Sequence, residues 1–515
     1  MSLGWAVVMT LLVLAVGGAI AWLLLSQLFT RRWPWELSGT APSQPDVFKL
    51  ALAIVAAIGG AIALVVNYRR QRHLERDLRL LNERFVAAAS QLGGEHAPQR
   101  LAGVYALAAL ADEWRNQRQQ CVDVLCGYLR LPLDAEPTPD GQSVPRRLPR
   151  YRRRPSVPRY APKSGLAEVQ VRRAIVGVIA QHLRSTASIR WSDLNLDLER
   201  AVLFDASFEG ATFGGDRTSF VGVRFDGDTS FKDAVFAAQD TLFLGSVFNG
   251  RISFENASFE RRTCFDRSTF AGEELSFGEA TFEGDRVTFG SVDFASRRTS
   301  FDDSKLMAEV VVFDDAVFSC EAGNASFDRA TFSASRRISF DRTKFACEFV
   351  SFNATFSVRT SFSETEFHCR TSFNRSVFKG EYVSFAQAIF DGSRASFNHV
   401  VVDSEKVFFH ETKFRAQATS FDGVILKASR RASFDNAVFS GDAVSIGFLR
   451  IEGASPTFDS ADFSARQTTF EALAFGPQSR SAARLSASLA GARFKDPAAI
   501  AWGPLSLPIQ PPVSL

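Results

Sequence analysis

Residues 204–259 read FDASFEGATFGGDRTSFVGVRFDGDTSFKDAVFAAQDTLFLGSVFNGRISFENASF. Phenylalanine recurs at Phe208, Phe213, Phe220, Phe225, Phe231, Phe236, Phe243, Phe248, Phe254 and Phe259, with gaps of five alternating with gaps of six or seven. The beat continues through Phe289 to about Phe475, and 46 of the 49 Phe fall between Phe204 and Phe494. Self-similarity at a short fixed period over hundreds of residues is the mark of a solenoid and outranks any local reading of secondary structure.

A second regularity gives the direction of the side chains. Two residues before each Phe stands a small or β-branched residue: Ala211, Thr218, Thr229, Ala234, Ser246, Ile252, Ala257, Thr263, Ser268 and Val287. Residues two apart on an extended chain point to the same side, so each Phe and its partner face one interior. Where Phe is missing, Leu306, Val402, Leu426, Ile446 and Ile451 hold the beat. An inward period of five is wrong for a helix and too long for a plain strand. Short extended steps separated by corners satisfy it, with coils ~4.7–4.9 Å apart and Phe stacked over Phe. The ladder expected from this spacing comprises Phe213, Phe220, Phe225, Phe231, Phe236, Phe243, Phe248, Phe254, Phe259 and Phe289.

A five-residue unit with a bulky apolar centre and a small residue at minus two resembles the pentapeptide-repeat family. That resemblance implies an all-β, right-handed quadrilateral β-helix, one repeat per face and four per coil. Here Phe replaces the commoner Leu and alternate units carry one or two extra residues, so a coil should hold about 23–24 residues rather than the ~20 of four pentapeptides. The stretch 83–114, ERFVAAASQLGGEHAPQRLAGVYALAALADEW, resembles a helical segment that precedes pentapeptide repeats in bacterial, especially actinobacterial, membrane proteins.

The rest of the 515 residues divides around the solenoid, which is expected over 201–496. Residues 3–25 carry no charge and exceed the ~20 needed to cross a bilayer; 50–66 form a second apolar run. No basic n-region marks a signal peptide. Arg69, Arg70, Arg72 and Arg76 follow the second run, and the positive-inside rule places that end in the cytoplasm. Arg31 and Arg32 in the loop argue mildly the other way. Residues 1–67 are thus expected to be two transmembrane helices in a bacterial inner membrane, both termini cytoplasmic, with a short external loop. Residues 68–131 read as a cytoplasmic helical region, 132–165 as a Pro/Arg-rich linker, 166–200 as a helical N-terminal cap and 497–515 as a disordered tail. In the linker Arg146, Arg147, Arg152, Arg153 and Arg154 are expected to contact lipid, at ~1 kcal/mol for each basic residue near an anionic surface.

Chemistry is sparse. Of six Cys none forms a Cys-x-x-Cys pair, and no His lies at zinc-like spacing; free thiols are expected. Cys369 follows His368 directly, and neighbours on a strand point to opposite faces, so the two make no nucleophile–base pair. Asp205, Asp226, Asp266, Asp302, Asp314, Asp328, Asp341, Asp422 and Asp435 follow an apolar position and suggest corners in which Asp bonds its own backbone. Calcium-binding β-helices use Gly-Gly-x-Gly-x-Asp nonapeptides, which are absent. No phosphate loop, dinucleotide fingerprint or nucleophile elbow occurs. No catalytic residue, cofactor or metal is expected. The expected function is a non-catalytic, membrane-anchored scaffold whose partners are the membrane and a cytoplasmic protein.

Two other readings carry weight. Some soluble members of the resembled family mimic duplex DNA and bind gyrase. Residues 1–200 hold 26 Lys+Arg and 16 Asp+Glu (+10), and residues 201–515 hold 33 and 40 (−7). About eleven coils make a rod of roughly 50 Å, along which duplex DNA would carry roughly thirty negative charges, several times more. Nucleic acid is likewise not an expected partner. The third reading is an envelope or stress sensor using the external loop.

Overall fold

The computed structural model describes residues 16–17, 19–20, 44–133, 165–320, 323–454, 456–471, 491–495 and 500–502. From Leu196 onward the described chain is a β-solenoid of short parallel strands, mostly two or three residues each. One coil shows the plan: Thr212–Phe213 on a first face, Arg217–Ser219 on a second, Arg224–Asp226 on a third, Thr229–Ser230 on a fourth. Val235–Phe236 then lies directly over Thr212–Phe213. The third face is a separate sheet of 13 strands, and the other three merge into one sheet of 31. They merge because the corners flatten toward the C-terminal end. Val377–Ser384, Val401–Phe408 and Val424–Ser433 run unbroken from the first face to the second, and Ala443–Gly453 from the fourth to the first.

Four columns of phenyl rings fill the interior. On the second face the rings stack from Phe220 through Phe243, Phe265, Phe289 and Phe313 onward to Phe458, with centroids 4.6–4.9 Å apart over these first contacts. Phe213, Phe236 and Phe259 form the first-face column at 4.7–4.8 Å. Phe225 stacks on Phe248 on the third face at 4.4 Å, and Phe231 on Phe254 on the fourth at 5.0 Å. Rings of adjoining columns meet edge to face, as Phe231 does with Phe243 at 5.8 Å and 83°. Offset stacks within columns and T-shaped contacts between them are the two arrangements that the ring quadrupole favours. Leu306 stands between Phe282 and Phe332 in the first-face column, and Val402 and Leu426 continue it to Ile451. The small residues at minus two are buried. On the third face their hydroxyls bond across coils, as Thr343 Oγ1 donates to Phe313 O at 2.8 Å and Thr365 Oγ1 to Phe340 O at 2.7 Å, whereas the buried hydroxyls of Thr218, Thr229, Thr241, Thr299 and Thr419 have no partner.

Coil length varies. The third-face step is 22 residues from Phe248 to Phe270 and 27 from Phe318 to Phe345. Corners after the second and fourth faces are tight turns in which the residue three past Phe donates back to it, as Val223 N does to Phe220 O at 3.1 Å. The second residue past Phe takes a positive φ there, in Gly222 (64°) but also in Asp303, Asp315, Arg329 and Arg342 (57–59°).

The corner carboxylates differ from the sequence expectation. They do not bond their own backbone; they reach the next coil. Asp302 accepts from Ser326 Oγ and from Asp328 N at 2.9 Å; Asp314 accepts from Ser339 Oγ and from Asp341 N at 3.1 Å. Asn374 and Asn398 make the same pair of bonds without a charge, to Asn398 N (2.8 Å) and Asp422 N (3.0 Å). Burial, followed by the nearby Asp341 charge, raises the pKa of Asp314 despite its hydrogen bonds. A raised carboxyl pKa means a contribution present at low pH and lost as pH rises through the folded value. Asp314→Asn, which keeps the accepting oxygen, is therefore expected to raise the thermal midpoint at pH 7, with the gain vanishing below the ordinary Asp value of 3.8. Paired melts at the two pH values check this.

At the N-terminal end, α1 (Gln44–Leu92), α2 (Ala97–Glu113), α3 (Arg118–Arg130) and α4 (Gly165–Leu183) precede the coils. α2, α3 and α4 pack on one another, and α3 and α4 lie against the first strands, Leu196–Asp197 and Val202–Phe204. The helices of 97–130 thus share a core with the cap rather than standing apart from it. Arg172 of α4, 2% exposed, donates to Leu129 O and Leu131 O at 2.7 Å each and pairs with Glu168 at 2.9 Å. Asp112 accepts from Trp191 Nε1 at 3.0 Å and meets His182 Nε2 at 3.2 Å, while the His182 and Trp191 rings stack at 4.0 Å.

Among the described residues no helix is long and apolar enough to cross a membrane. The first expected span, 3–25, lies outside the described residues except for four positions, and so do several side chains of the second, 50–66, within α1. The linker, with Arg146, Arg147, Arg152, Arg153 and Arg154, and nearly all of the tail also lie outside them.

Candidate interaction surface

The ladder rings Phe213 to Phe259 and Phe289 are at most 1% exposed, so none of them is presented to a partner. Whatever this rod recognises, it recognises outside. Because each coil repeats the one below, outward residues form straight rows with a fixed rise, and rows facing each other across a corner form grooves.

A groove of about 690 Å³ runs along the corner between the second and third faces. One wall is the positive-φ row: Asp315, Arg342, Glu364, Gln387, Glu411 and Asn436. The other is the third-face row Lys344, Glu366, Ile389, Lys413 and Val438, each one coil above the last. Charge alternates at the groove's N-terminal end, over Asp315, Arg342 and Glu364 on one wall and Lys344 and Glu366 on the other. Arg342 grips Asp315 with two bonds, 2.8 and 2.9 Å, which hold the Asp315 carboxyl below its usual pKa against a weaker effect of burial. Lys344 Nζ reaches Glu366 at 3.1 Å, and Gln387 donates to Glu411 at 2.9 Å. Beside the groove His368 lies 3.0 Å from Glu366 and 2.8 Å from Asp391.

Burial works to lower the His368 pKa, but Glu366 and Asp391 outweigh it and hold it above the usual 6.5. Glu366 sits below its usual 4.5, since His368 and Lys344 outweigh its burial. The His contribution to stability is complete below pH 6.5 and lost as pH rises through its folded value; the Glu contribution is complete above 4.5 and lost as pH falls. Both are present between pH 4.5 and 6.5. His368→Gln should therefore lower the thermal midpoint most at pH 5–6 and least above pH 8, by a small amount because the pair is partly exposed. Melts across that range check it; a loss that grows with pH is the contrary result.

A second outward feature has no counterpart in the five-residue beat. Phe349, Phe408 and Tyr382 point outward and pack under guanidinium groups: Arg370 over Phe349 at 5.1 Å, Arg359 over Tyr382 at 4.8 Å, Arg431 over Phe408 at 5.7 Å. Tyr382 and Phe408 touch at 5.4 Å on the flattened coils. For Phe349 the signal available in the sequence was a Phe one residue off the beat with Arg370 in the same row of the next coil.

Among the described residues no cluster of three or more His, Cys, Asp and Glu is placed to hold a metal ion, and all six Cys are free. His368 faces outward while Cys369 is 4% exposed and inward, so they do not meet as base and nucleophile.

A family profile described as Pentapeptide repeats (9 copies) matches residues 194–235, the first coils of the solenoid. No curated protein and no solved structure matches this chain.

Proposed function

We propose that this chain is a non-catalytic scaffold, in which one pentapeptide-repeat solenoid over about 201–496 presents rigid rows of side chains to a cytoplasmic protein. The observation that carries this is the division of labour between inside and outside. The ring columns are buried, and the outer groove holds fixed donors and acceptors, among them the pairs Arg342–Asp315 and Lys344–Glu366. Preorganised surfaces of this kind bind with little ordering cost.

The membrane enters as part of the proposal. Its support is the uncharged run 3–25, the apolar run 50–66 and the Arg69, Arg70, Arg72, Arg76 cluster after it, which together suit two spans of a bacterial inner membrane with both termini inside. The basic linker would then lie at the inner leaflet. Mimicry of DNA is disfavoured by the pairing: Asp303 with Arg329, Asp315 with Arg342, Glu309 with Arg336 and Asp240 with Arg262 neutralise one another along the rod.

In-cell crosslinking of the full chain and of a chain ending at about residue 165, followed by identification of captured proteins, tests the scaffold. A partner captured only by the full chain supports it; identical lists remove the solenoid as the binding element. Extraction of membranes with alkaline carbonate tests the anchor: retention in the pellet is expected, and release would overturn it.

A further inference from the structure

Three cysteines occupy the same position in successive coils. Phe318, Phe345 and Phe367 stack as neighbours in the third-face column. Cys320, Cys347 and Cys369 each follow their Phe by two residues, so the thiols stand one above another where the third face turns inward. All three are buried, Cys320 at 0%, Cys347 at 9% and Cys369 at 4% exposure. Cys347 Sγ is 3.7 Å from Cys369 Sγ. Neighbouring coils lie ~4.8 Å apart, inside the Cα separations of roughly 4.4–6.8 Å that a disulfide spans. Only a modest side-chain rotation separates the observed thiol contact from a bond.

We propose that Cys347 and Cys369 are a reversible oxidative modification site, closing an inter-coil disulfide, and that Cys320 is the alternative partner of Cys347. The co-reactant is a small peroxide able to enter beside Cys347. The Cys369 thiolate attacks one peroxide oxygen, the O–O bond breaks and water leaves, giving a sulfenic acid. Cys347 sulfur then attacks the Cys369 sulfur, the S–O bond breaks, and a second water carries away the remaining protons. In all, two thiols and hydrogen peroxide give one disulfide and two waters. A dithiol reverses the change by exchange through a mixed disulfide. Hydrogen bonding supports this order of events: the contact with Cys347 lowers the pKa of Cys369 against burial, while Cys347 itself is raised. Closing the bond ties two coils together at mid-rod, beside the groove lined by Lys344 and Glu366.

The test uses the full chain, purified reduced, treated with hydrogen peroxide while folded, alkylated and digested without reduction. A crosslinked peptide joining Cys347 and Cys369, two hydrogens lighter than its reduced halves and released by dithiothreitol, is expected, together with a higher thermal midpoint for the oxidised protein. In C369S the link moves to Cys320–Cys347; in C347S neither forms and peroxide leaves the melt unchanged. Reduced variants that melt close to the parent show that the fold is intact. Full alkylation of all three thiols after peroxide, sulfinic acid in place of the link, or a link that appears only on unfolding would overturn the proposal.

Discussion

Replacing Phe289 by alanine lowers stability by about 3–5 kcal/mol, the range for emptying a buried aromatic site. Phe289 is 0% exposed and stacked between Phe265 at 4.9 Å and Phe313 at 4.6 Å, with Phe277 and Phe301 edge-on at 5.7 Å each. The surrounding rings cannot collapse into the gap, because each is held by its own column and by the backbone bonds of its coil. Truncation also separates two lengths of the second-face column. Repeats couple chiefly to their neighbours, so part of the loss should appear as local opening rather than global unfolding. Denaturant titration with hydrogen exchange around residues 265–313 measures both, and an unchanged midpoint with unchanged protection is the contrary result.

Gly250→Val is expected to cost about 3 kcal/mol, at the upper end of the range for a residue forced into glycine-only backbone. Gly250 has φ 145°, and a Cβ built on it falls 2.2 Å from Gly227 O, a backbone atom of the coil below. The contact repeats one coil up, where a Cβ on Gly272 would lie 1.6 Å from Gly250 O. The corner between third and fourth faces is this narrow because three glycines lie in register. Gly127 in α3 is the control of opposite sign: a Cβ there meets nothing within 4 Å, so Gly127→Ala should stabilise by roughly 0.5–1 kcal/mol. Thermal and denaturant melts of the two variants decide it; similar midpoints would contradict the corner geometry.

The solenoid was legible because its signal is local. Whether Leu242 or Phe243 points inward is decided by an alternation of two, and the five-residue beat repeats that decision dozens of times. What the beat does not carry is register between coils. The third-face step swings from 22 residues to 31, so which residue lies over which depends on loops whose length has no effect on the alternation. That is why the partners of Asp302 and Asp314 lie one coil up rather than in their own turn. It is also why the stack of Cys320, Cys347 and Cys369 hides in spacings of 27 and 22, though their common offset of two from Phe was there to be read. The flattened corners at 377–453 and the joining of α2 and α3 to α4 arise from packing between distant segments, which no short period encodes. The groove is the same kind of feature, because its walls come from six successive coils. Sequence shows its charges one by one but not that Arg342 reaches Asp315.

The most direct measurement of the scaffold account is in-cell crosslinking of the full chain beside a groove variant, Arg342→Glu with Lys344→Glu and Lys413→Glu. These positions are outward, so the buried ladders and the coils are kept, and loss of the exposed Arg342–Asp315 and Lys344–Glu366 pairs lowers the melt by a small amount. The account predicts that a partner captured by the parent is lost or strongly depleted in the variant. Capture of the same partner at the same yield by both would place recognition elsewhere on the chain and contradict the assignment of the groove.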